Sequence, residues 1–173
     1  MEGIVSALIA GILAIQASGT PINEDKAREY AQAAYHHARR HDLDPFDLIG
    51  IARNESDFRV SLRSNKGLDC GITQIRARHS RYSCSKLTSS AWHAFSEAAR
   101  MLKEFTVSCK GRKDFDRCRF NRYNAGWKFS HNNKYWLRVK CFARAARYNW
   151  VIGNQCRNVK SIKEINRLVP SLG

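Results

Sequence analysis

Apolar residues recur at helical spacing in several segments of the chain, and this pattern restricts it to a mainly helical fold. Four such segments cover residues 24–41, 44–55, 91–102 and 134–149. Residues 59–87 lose the periodicity and are rich in Ser, Arg, Asn and Gly. We therefore predict a mainly α (α+β) fold, with helices around a small irregular or β-ribbon middle segment.

Residues that favour helix ends support these boundaries. Asn23 can cap the first helix, and Asp44-Pro45 combines a cap with a first-turn proline. The Ser/Thr cluster at 88–90 precedes the third segment. Ser161 and Glu164 have the spacing of a capping box, which predicts a last short helix that ends before Pro170.

Size and charge restrict the class of protein. The chain has 173 residues and a hydrophobic fraction of 43%, so it can bury a core and is not a disordered tail. Its 30 Lys and Arg against 15 Asp and Glu give a net charge of +15. Such a surface favours polyanions, which include nucleic acid, acidic lipid and an anionic cell wall.

The N-terminal segment indicates export. Residues 3–23 carry no charged side chain, and residues 4–15 are the most apolar part. That length suits an export signal, and residues 17–19 are small enough for cleavage. We interpret residues 1–19 as a signal peptide or a weak membrane anchor, which would contact the membrane through residues 3–23. A buried N-terminal helix is the alternative. We expect residues 20–173 to form a single domain.

An even number of cysteines in a small, exported chain predicts disulfides. The six are Cys70, Cys84, Cys109, Cys118, Cys141 and Cys156. Six cysteines allow 15 pairings, and the sequence does not choose among them. Pairing of neighbours, such as Cys109 with Cys118, is one hypothesis, and buried free thiols are the alternative. The long spacings without Cys-x-x-Cys give no reason to expect zinc.

Three short segments carry the candidate chemistry. They read Asn-Glu-Ser-Asp-Phe at 54–58, Leu-Asp-Cys-Gly-Ile-Thr-Gln-Ile at 68–75 and Arg-Tyr-Asn-Ala-Gly-Trp at 122–127. Glu55 lies at the end of an apolar helix face. Such a setting disfavours a carboxylate and keeps the proton on near neutral pH, as a general acid requires.

Together the three segments resemble the signatures of the soluble lytic transglycosylase family, which shares the lysozyme-like fold. Those signatures are Glu-Ser at a helix end, then Gly-Leu-Met-Gln-Ile, then Ala-Tyr-Asn-Ala-Gly. Here they correspond to residues 55–56, 71–75 and 122–126, with Thr73 in place of Met and Arg122 in place of Ala. The resemblance covers roughly residues 27–147 and is closest in style to small phage or secretion-system transglycosylases.

The resemblance implies a mechanism with one catalytic carboxyl group. Glu55 would protonate the oxygen between N-acetylmuramic acid and N-acetylglucosamine, then act as base toward the muramoyl 6-hydroxyl, giving a 1,6-anhydro product. Tyr123 would lie near Glu55 and orient it. The residues expected to bind the glycan are Ser56, Gly71, Thr73, Gln74, Ile75, Asn124 and Ala125. No metal and no cofactor is expected.

Asp69 leaves the reaction class open. Glycoside hydrolases normally use two carboxyl groups. Asp69 beside Gly71 could steady positive charge on the sugar, which would make the protein a true lysozyme. The alternative is a turn residue that bonds its own backbone. Trp127, Tyr135 and Trp136 could stack on sugars, with core packing as the alternative.

The expected partners are peptidoglycan glycan strands and anionic components of the cell wall. We expect a monomer that is exported and periplasmic or associated with the cell wall, or with a virion if a phage encodes it. A nucleic-acid-binding module is a rival interpretation of the charge. The leader and the cysteines argue against it, so no nucleic acid is expected. A wall-binding protein without activity is a second rival, against which the intact Glu55 argues.

Overall fold

The computed structural model describes residues 2–16, 21–64, 66–126, 133–152 and 154–170. Within these ranges the chain forms eight α-helices: α1 Glu2–Gln16, α2 Glu24–Arg40, α3 Pro45–Ser56, α4 Cys84–Ser89, α5 Ala91–Ser108, α6 Phe115–Ala125, α7 Asn133–Arg147 and α8 Ile162–Leu168. Three two-residue strands, β1 Arg63–Ser64, β2 Asp69–Cys70 and β3 Ile75–Arg76, make one antiparallel sheet in that order. The prediction of a mainly helical fold with a small β segment is confirmed.

The helix caps lie where the sequence predicts them. Asn23 Oδ1 accepts a hydrogen bond from the Lys26 amide at 3.0 Å, and Asp44 Oδ1 accepts one from the Phe46 amide at 3.0 Å. Each bond satisfies an amide of the first helical turn that has no partner within the helix. These two caps fix the start of α2 and of α3, and α3 is the helix that carries Glu55.

The capping box of α8 forms with one difference. Ser161 Oγ accepts from the Glu164 amide at 3.2 Å, as predicted. The Glu164 carboxylate accepts from the Lys160 amide at 2.8 Å instead of from Ser161. The box therefore caps α8 and also holds the residue that precedes it.

Two helices correct the sequence prediction. α4 begins inside the segment predicted to be irregular and ends two residues beyond it, and Ser83 Oγ accepts from the Lys86 amide at 3.4 Å. α6 was not predicted, because its buried residues include Arg119 and Asn121 and so give no apolar periodicity. Arg119 is stabilised there by the carboxylate of Asp47, at 2.5 Å.

α1 packs into the core of the described protein. Leu8, Ile12 and Ile15 are fully buried, and the helix contacts α2 and α7. Gly11 permits the close approach to α7, because a Cβ at this position would lie 2.2 Å from the Ala146 carbonyl oxygen. This packing agrees with the alternative interpretation, in which residues 1–19 contribute a buried N-terminal helix. Export remains a prediction. In the described ranges no helix combines the length and the apolar character that crossing a membrane requires.

α3 lies at the centre of the core. It packs on α7 over its length and also contacts α1, α2 and α5. Leu48, Ile49 and Ile51 are all fully buried, so the helix is covered on more than one face. This burial fixes the position of its last turn, which presents Glu55.

All six cysteines form disulfides, and each pairs with its neighbour in the chain. The bridges are Cys70–Cys84, Cys109–Cys118 and Cys141–Cys156. The disulfide prediction and the Cys109–Cys118 hypothesis are confirmed, and no free cysteine is present among the described residues. Three disulfides are typical of proteins that fold in an oxidising compartment.

Candidate active site

Glu55 occupies the last turn of α3 and is half-buried. Its Oε1 accepts a hydrogen bond of 2.5 Å from the hydroxyl of Tyr135, which lies in the first turn of α7. Tyr135 is only 2% exposed. Burial raises the pKa of the Tyr135 hydroxyl well above its usual range, so this group keeps its proton and donates. The carboxyl group is thus held in one orientation.

The surroundings of Glu55 raise its pKa from 4.5 to about 7. Burial is the largest cause, because it disfavours the charged form. The negative charge of Asp69 acts in the same direction, whereas the Tyr135 hydrogen bond and the charge of Arg138 lower the pKa. Near neutral pH the carboxyl group therefore exists in both protonation states, as a group that donates and then accepts a proton requires.

The Glu55 side chain lines a cleft of about 300 Å³. The cleft is lined by Glu55, Ser64, Asp69, Gln74, Ile75, Arg76, Arg78, His79, Met101, Tyr123, Asn124, Ala125 and Gly126. The structure thus brings parts of all three predicted segments together around one carboxyl group. Most polar groups of this lining come from the β-sheet with its turn and from a short 3-10 helix, Ala77–His79, that follows β3.

Gly71 shapes the turn after β2. Its φ is +80°, and a Cβ would lie 2.3 Å from the Leu87 carbonyl oxygen of α4. Both conditions require glycine. The Gly71 amide donates to the Leu62 carbonyl at 2.9 Å. Gly71 therefore acts through the backbone, and it does not line the cleft.

Gln74 holds the same turn together. Its side-chain amide donates to the carbonyls of Gly71 at 2.8 Å and Leu62 at 3.1 Å. Its side-chain oxygen accepts a hydrogen bond from the Ser64 hydroxyl. Gln74 lines the cleft as predicted. Its polar atoms, however, bond to Ser64, Leu62 and Gly71, so they hold β1 to the turn between β2 and β3.

Ser56 and Thr73, two predicted glycan-binding residues, are buried away from the cleft. Ser56 Oγ lies 2.7 Å from the Ile72 carbonyl oxygen, and Thr73 Oγ1 donates to the Ala94 carbonyl at 3.2 Å. Their exposed fractions are 2% and 0%. Ser56 ties the end of α3 to the turn that follows β2, and Thr73 ties the same turn to α5.

Tyr123 lies in the cleft, but its hydroxyl does not bond to Glu55. It donates to the Thr73 carbonyl at 3.1 Å. Burial, together with the nearby charge of Glu55, raises the pKa of Tyr123 well above 10. The tyrosine that bonds to Glu55 is therefore Tyr135, whereas Tyr123 lines the cleft and supports the turn that faces Glu55.

Asp69 is a strand residue, not a turn residue, and its carboxylate forms an ion pair. It lies in β2 opposite Arg76 of β3, and its Oδ1 accepts from Arg76 Nε at 2.9 Å. A second contact joins Oδ2 to Arg76 Nη2 at 3.4 Å. Asp69 shares the cleft with Glu55, and Arg76 offsets part of its charge.

The other predicted residues come from both walls, Asn124 and Ala125 from the end of α6 and Ile75 from β3. Asn124 is exposed, Ala125 is half-buried, and Ile75 is 2% exposed; all three line the cleft. Trp127 lies outside the described residues. Tyr135 was predicted to stack on a sugar or to pack in the core, and its hydrogen bond to Glu55 was missed. A tyrosine among the apolar residues of a helix carries no sequence signal for such a bond.

No family model, curated protein or solved structure matches this chain. The resemblance to the transglycosylase signatures therefore rests on the residues of the three segments. Among the described residues no group of three or more His, Cys, Asp or Glu side chains could hold a metal ion.

Proposed function

We propose that the protein is a peptidoglycan lytic transglycosylase with a lysozyme-like fold, in which Glu55 is the catalytic acid and base. One observation carries the proposal: the Glu55 carboxyl group, with its pKa raised to about 7, faces a cleft and accepts a hydrogen bond from Tyr135. The glycan strand would lie between the β-sheet and the end of α6, the walls of that cleft. The three disulfides are compatible with export to a periplasm or cell wall.

The reaction uses Glu55 twice. The protonated carboxyl group gives its proton to the oxygen that links muramic acid C1 to the next sugar, and the C1–O bond breaks. The resulting carboxylate then takes the proton of the muramoyl 6-hydroxyl while O6 bonds to C1. No water is consumed, and the enzyme ends in its starting protonation state. A pKa near neutral pH suits both steps.

A true lysozyme is the second candidate, and Asp69 is the observation that favours it. Asp69 shares the cleft with Glu55 and raises its pKa. A second carboxylate could stabilise positive charge on the sugar while water attacks C1. Its ion pair with Arg76 weakens this role, because the charge is already partly offset.

Digestion of purified peptidoglycan tests both candidates. We expect wild-type protein to release 1,6-anhydro muropeptides, which lack the water that hydrolysis adds. Glu55→Gln should lose more than about 10²–10⁴-fold in rate, because one group serves both steps. Glu29→Gln, an exposed glutamate outside the cleft, is the matched control. Full activity of Glu55→Gln would refute the site, and products with only reducing-end muramic acid would identify a lysozyme.

Asp69→Asn separates the two roles of the second carboxyl group. If Asp69 supports the sheet through Arg76, the rate should fall modestly and the products should stay anhydro. A steep fall, comparable to that of Glu55→Gln, would assign Asp69 to stabilisation of the oxocarbenium-like state.

A further inference from the structure

A second groove, of about 1040 Å³, is lined by residues of α1, α2 and α5 and shares no lining residue with the Glu55 cleft. Its apolar lining includes Val5 and Ile9 of α1 and Trp92 of α5. Along α2 it is bordered by Arg28, Arg39 and Arg40, all of them exposed. An apolar groove beside several cations fits a molecule that joins an apolar part to an anionic one.

The outer face of α1 extends this apolar surface. Residues 3–16 contain no charged side chain, and Ile4 is 48% exposed. The inner face is held in the core through Leu8, Ile12 and Ile15. α1 thus has one face in the core and one uncharged face outward, an arrangement that can lie in the plane of a bilayer surface.

Trp92 adds an exposed aromatic ring to the same face. Trp92 shares the helical spacing of the buried Phe95 and Leu102 in α5, yet it is 43% exposed. Its ring lies 4.8 Å from that of His36 and 4.6 Å from that of His37. Tryptophan prefers the boundary between hydrocarbon and headgroups, because its ring is apolar and its N–H is polar.

The charges of this face complement an anionic surface. Arg28 shares its charge with Glu24, at 2.7 Å, and Arg39 and Arg40 lie in the last turn of α2. Glu2, at one end of the groove, is the acidic member of the lining. The net charge of +15 acts in the same direction over a longer range.

We propose that the face formed by α1, the arginines of α2 and Trp92 docks on a bilayer surface that contains anionic phospholipid. α1 would lie in the interface, the arginines would contact lipid phosphates, and Trp92 would lie at the hydrocarbon boundary. The Glu55 cleft is formed by other residues and would remain open. The proposal does not depend on the catalytic activity.

Co-sedimentation of the full chain with vesicles tests this docking. One set contains phosphatidylglycerol and phosphatidylcholine in equal amounts, and the other contains phosphatidylcholine alone. We expect binding to the first set only. The triple variant R28Q/R39Q/R40Q should lower the partition coefficient by more than about tenfold, since each cation near an anionic surface contributes to binding.

A matched variant separates this face from bulk charge. K160Q/K163Q/R167Q removes the same number of positive charges from exposed positions at α8, and we expect its partition to stay near that of the wild type. An equal loss in both triple variants would refute the proposal, because attraction would then depend on net charge alone. Absence of binding by the wild type would refute it as well.

Fluorescence quenching tests whether Trp92 contacts the bilayer, and it needs only the conservative substitution Trp92→Phe. Brominated phosphatidylcholine mixed into the anionic vesicles should quench tryptophan emission of the wild type, and Trp92→Phe should lose that quenching while it still sediments. Unchanged quenching in Trp92→Phe would refute the assigned face. A dimer that excludes vesicles and dissociates on Trp92→Ala would show that the face binds a second copy instead.

Discussion

The proton on Glu55 depends on neighbours that act in opposite directions. Burial and the charge of Asp69 favour the protonated carboxyl group, whereas the hydrogen bond from Tyr135 favours the carboxylate. Tyr135 comes from α7, 80 residues away in the chain. The balance of these effects places the pKa near 7, so small changes at either neighbour should move the pH dependence of the reaction.

Tyr135→Phe should move the alkaline limb of the pH–rate profile. Wild-type activity should fall as pH rises through about 7, because the first step needs protonated Glu55. Removal of the hydroxyl removes the interaction that lowers the pKa of Glu55, so the limb should move to higher pH while kcat falls. The measurement is kcat/KM on purified peptidoglycan between pH 5 and pH 9, a range of about two pH units on each side of that pKa.

Tyr123→Phe is the control for this shift. Its hydroxyl bonds to the Thr73 carbonyl, so its removal should lower activity by loosening the turn but leave the limb where it is. If the alkaline limb of the pH–rate profile falls at the same pH in the wild type and in Tyr135→Phe, the positioning role of Tyr135 is contradicted.

Glu55→Gln should stabilise the fold at high pH. The raised pKa means that ionisation of Glu55 is less favourable in the folded chain than in the unfolded one. Stability is therefore lost as pH rises from about 4.5 to about 7, and the loss persists above that range. The neutral amide of the variant has no such cost, so the gain should be on the order of 3 kcal/mol at pH 8 and near zero at pH 4.

Urea unfolding at both pH values measures this difference. The exposed Glu29→Gln should show no such pH dependence. A gain of equal size at both pH values would mean that packing, not ionisation, separates the two side chains at position 55.

The sequence singled out Glu55 through a local signal, because this residue ends an apolar helix face. Gly71 was predicted from motif position to bind glycan, but it does not line the cleft and shapes the turn after β2 through its backbone. Ser56 and Thr73 were placed in the cleft by motif position, yet their hydroxyls are buried against backbone carbonyls. Tyr135 was missed because a bond between distant helices depends on their packing.

Among the elements, α1 and α3 are joined by Arg53. This side chain is 1% exposed, and its Nε donates to the Ile15 carbonyl at the end of α1, at 3.2 Å. It also forms an ion pair with Asp57 and lies over the ring of Phe142. Because Arg53 precedes Glu55 by two residues, the end of α1 and the last turn of α3 share one buried cation.

Gly11→Ala should destabilise the protein if α1 is packed in its active form. A Cβ at Gly11 would lie 2.2 Å from a backbone oxygen of α7, which cannot move without shifting that helix. Overpacking of this kind costs about 1–3 kcal/mol. Gly3→Ala is the matched control, since a Cβ there meets nothing within 4 Å and alanine favours the helix.

Thermal unfolding of both variants, with the N-terminus of each confirmed by mass spectrometry, measures the effect. A mature protein that begins after residue 19 would be indifferent to both substitutions, and export cleavage would then be established.

The elements with local signals were predictable, and the others were not. α2, α3 and α8 begin at caps that the sequence displays. α6 was not predicted because buried Arg119 and Asn121 interrupt its apolar pattern, and Arg119 is paired with Asp47 of another helix. For α1 an uncharged sequence suits both an export signal and a core helix, so composition alone could not distinguish them.

At the scale of the whole molecule, the charge should govern adhesion to the cell wall. The net charge of +15 includes exposed basic residues that do not line the cleft, such as Lys110 and Lys113. Salt screens such contacts: the Debye length falls from about 10 Å at 0.1 M to about 3 Å at 1 M. We therefore expect retention on insoluble peptidoglycan to decrease steadily with salt.

Pull-down of Glu55→Gln with purified peptidoglycan measures adhesion without digestion of the matrix. Retention that does not change between low and high salt would show that the glycan cleft, not the surface charge, holds the protein. The same series with wall material stripped of anionic polymers identifies which anions are bound.

The three disulfides join residues only 14, 9 and 15 positions apart, and no bridge encloses or crosses another. Each cysteine therefore meets its native partner before the next pair has been synthesised. If oxidation follows the order of synthesis, joining each cysteine to the one that emerges next already yields the native set. Such a chain can reach its final covalent state without rearrangement of non-native disulfides, and reduction of one bridge leaves the other two loops closed.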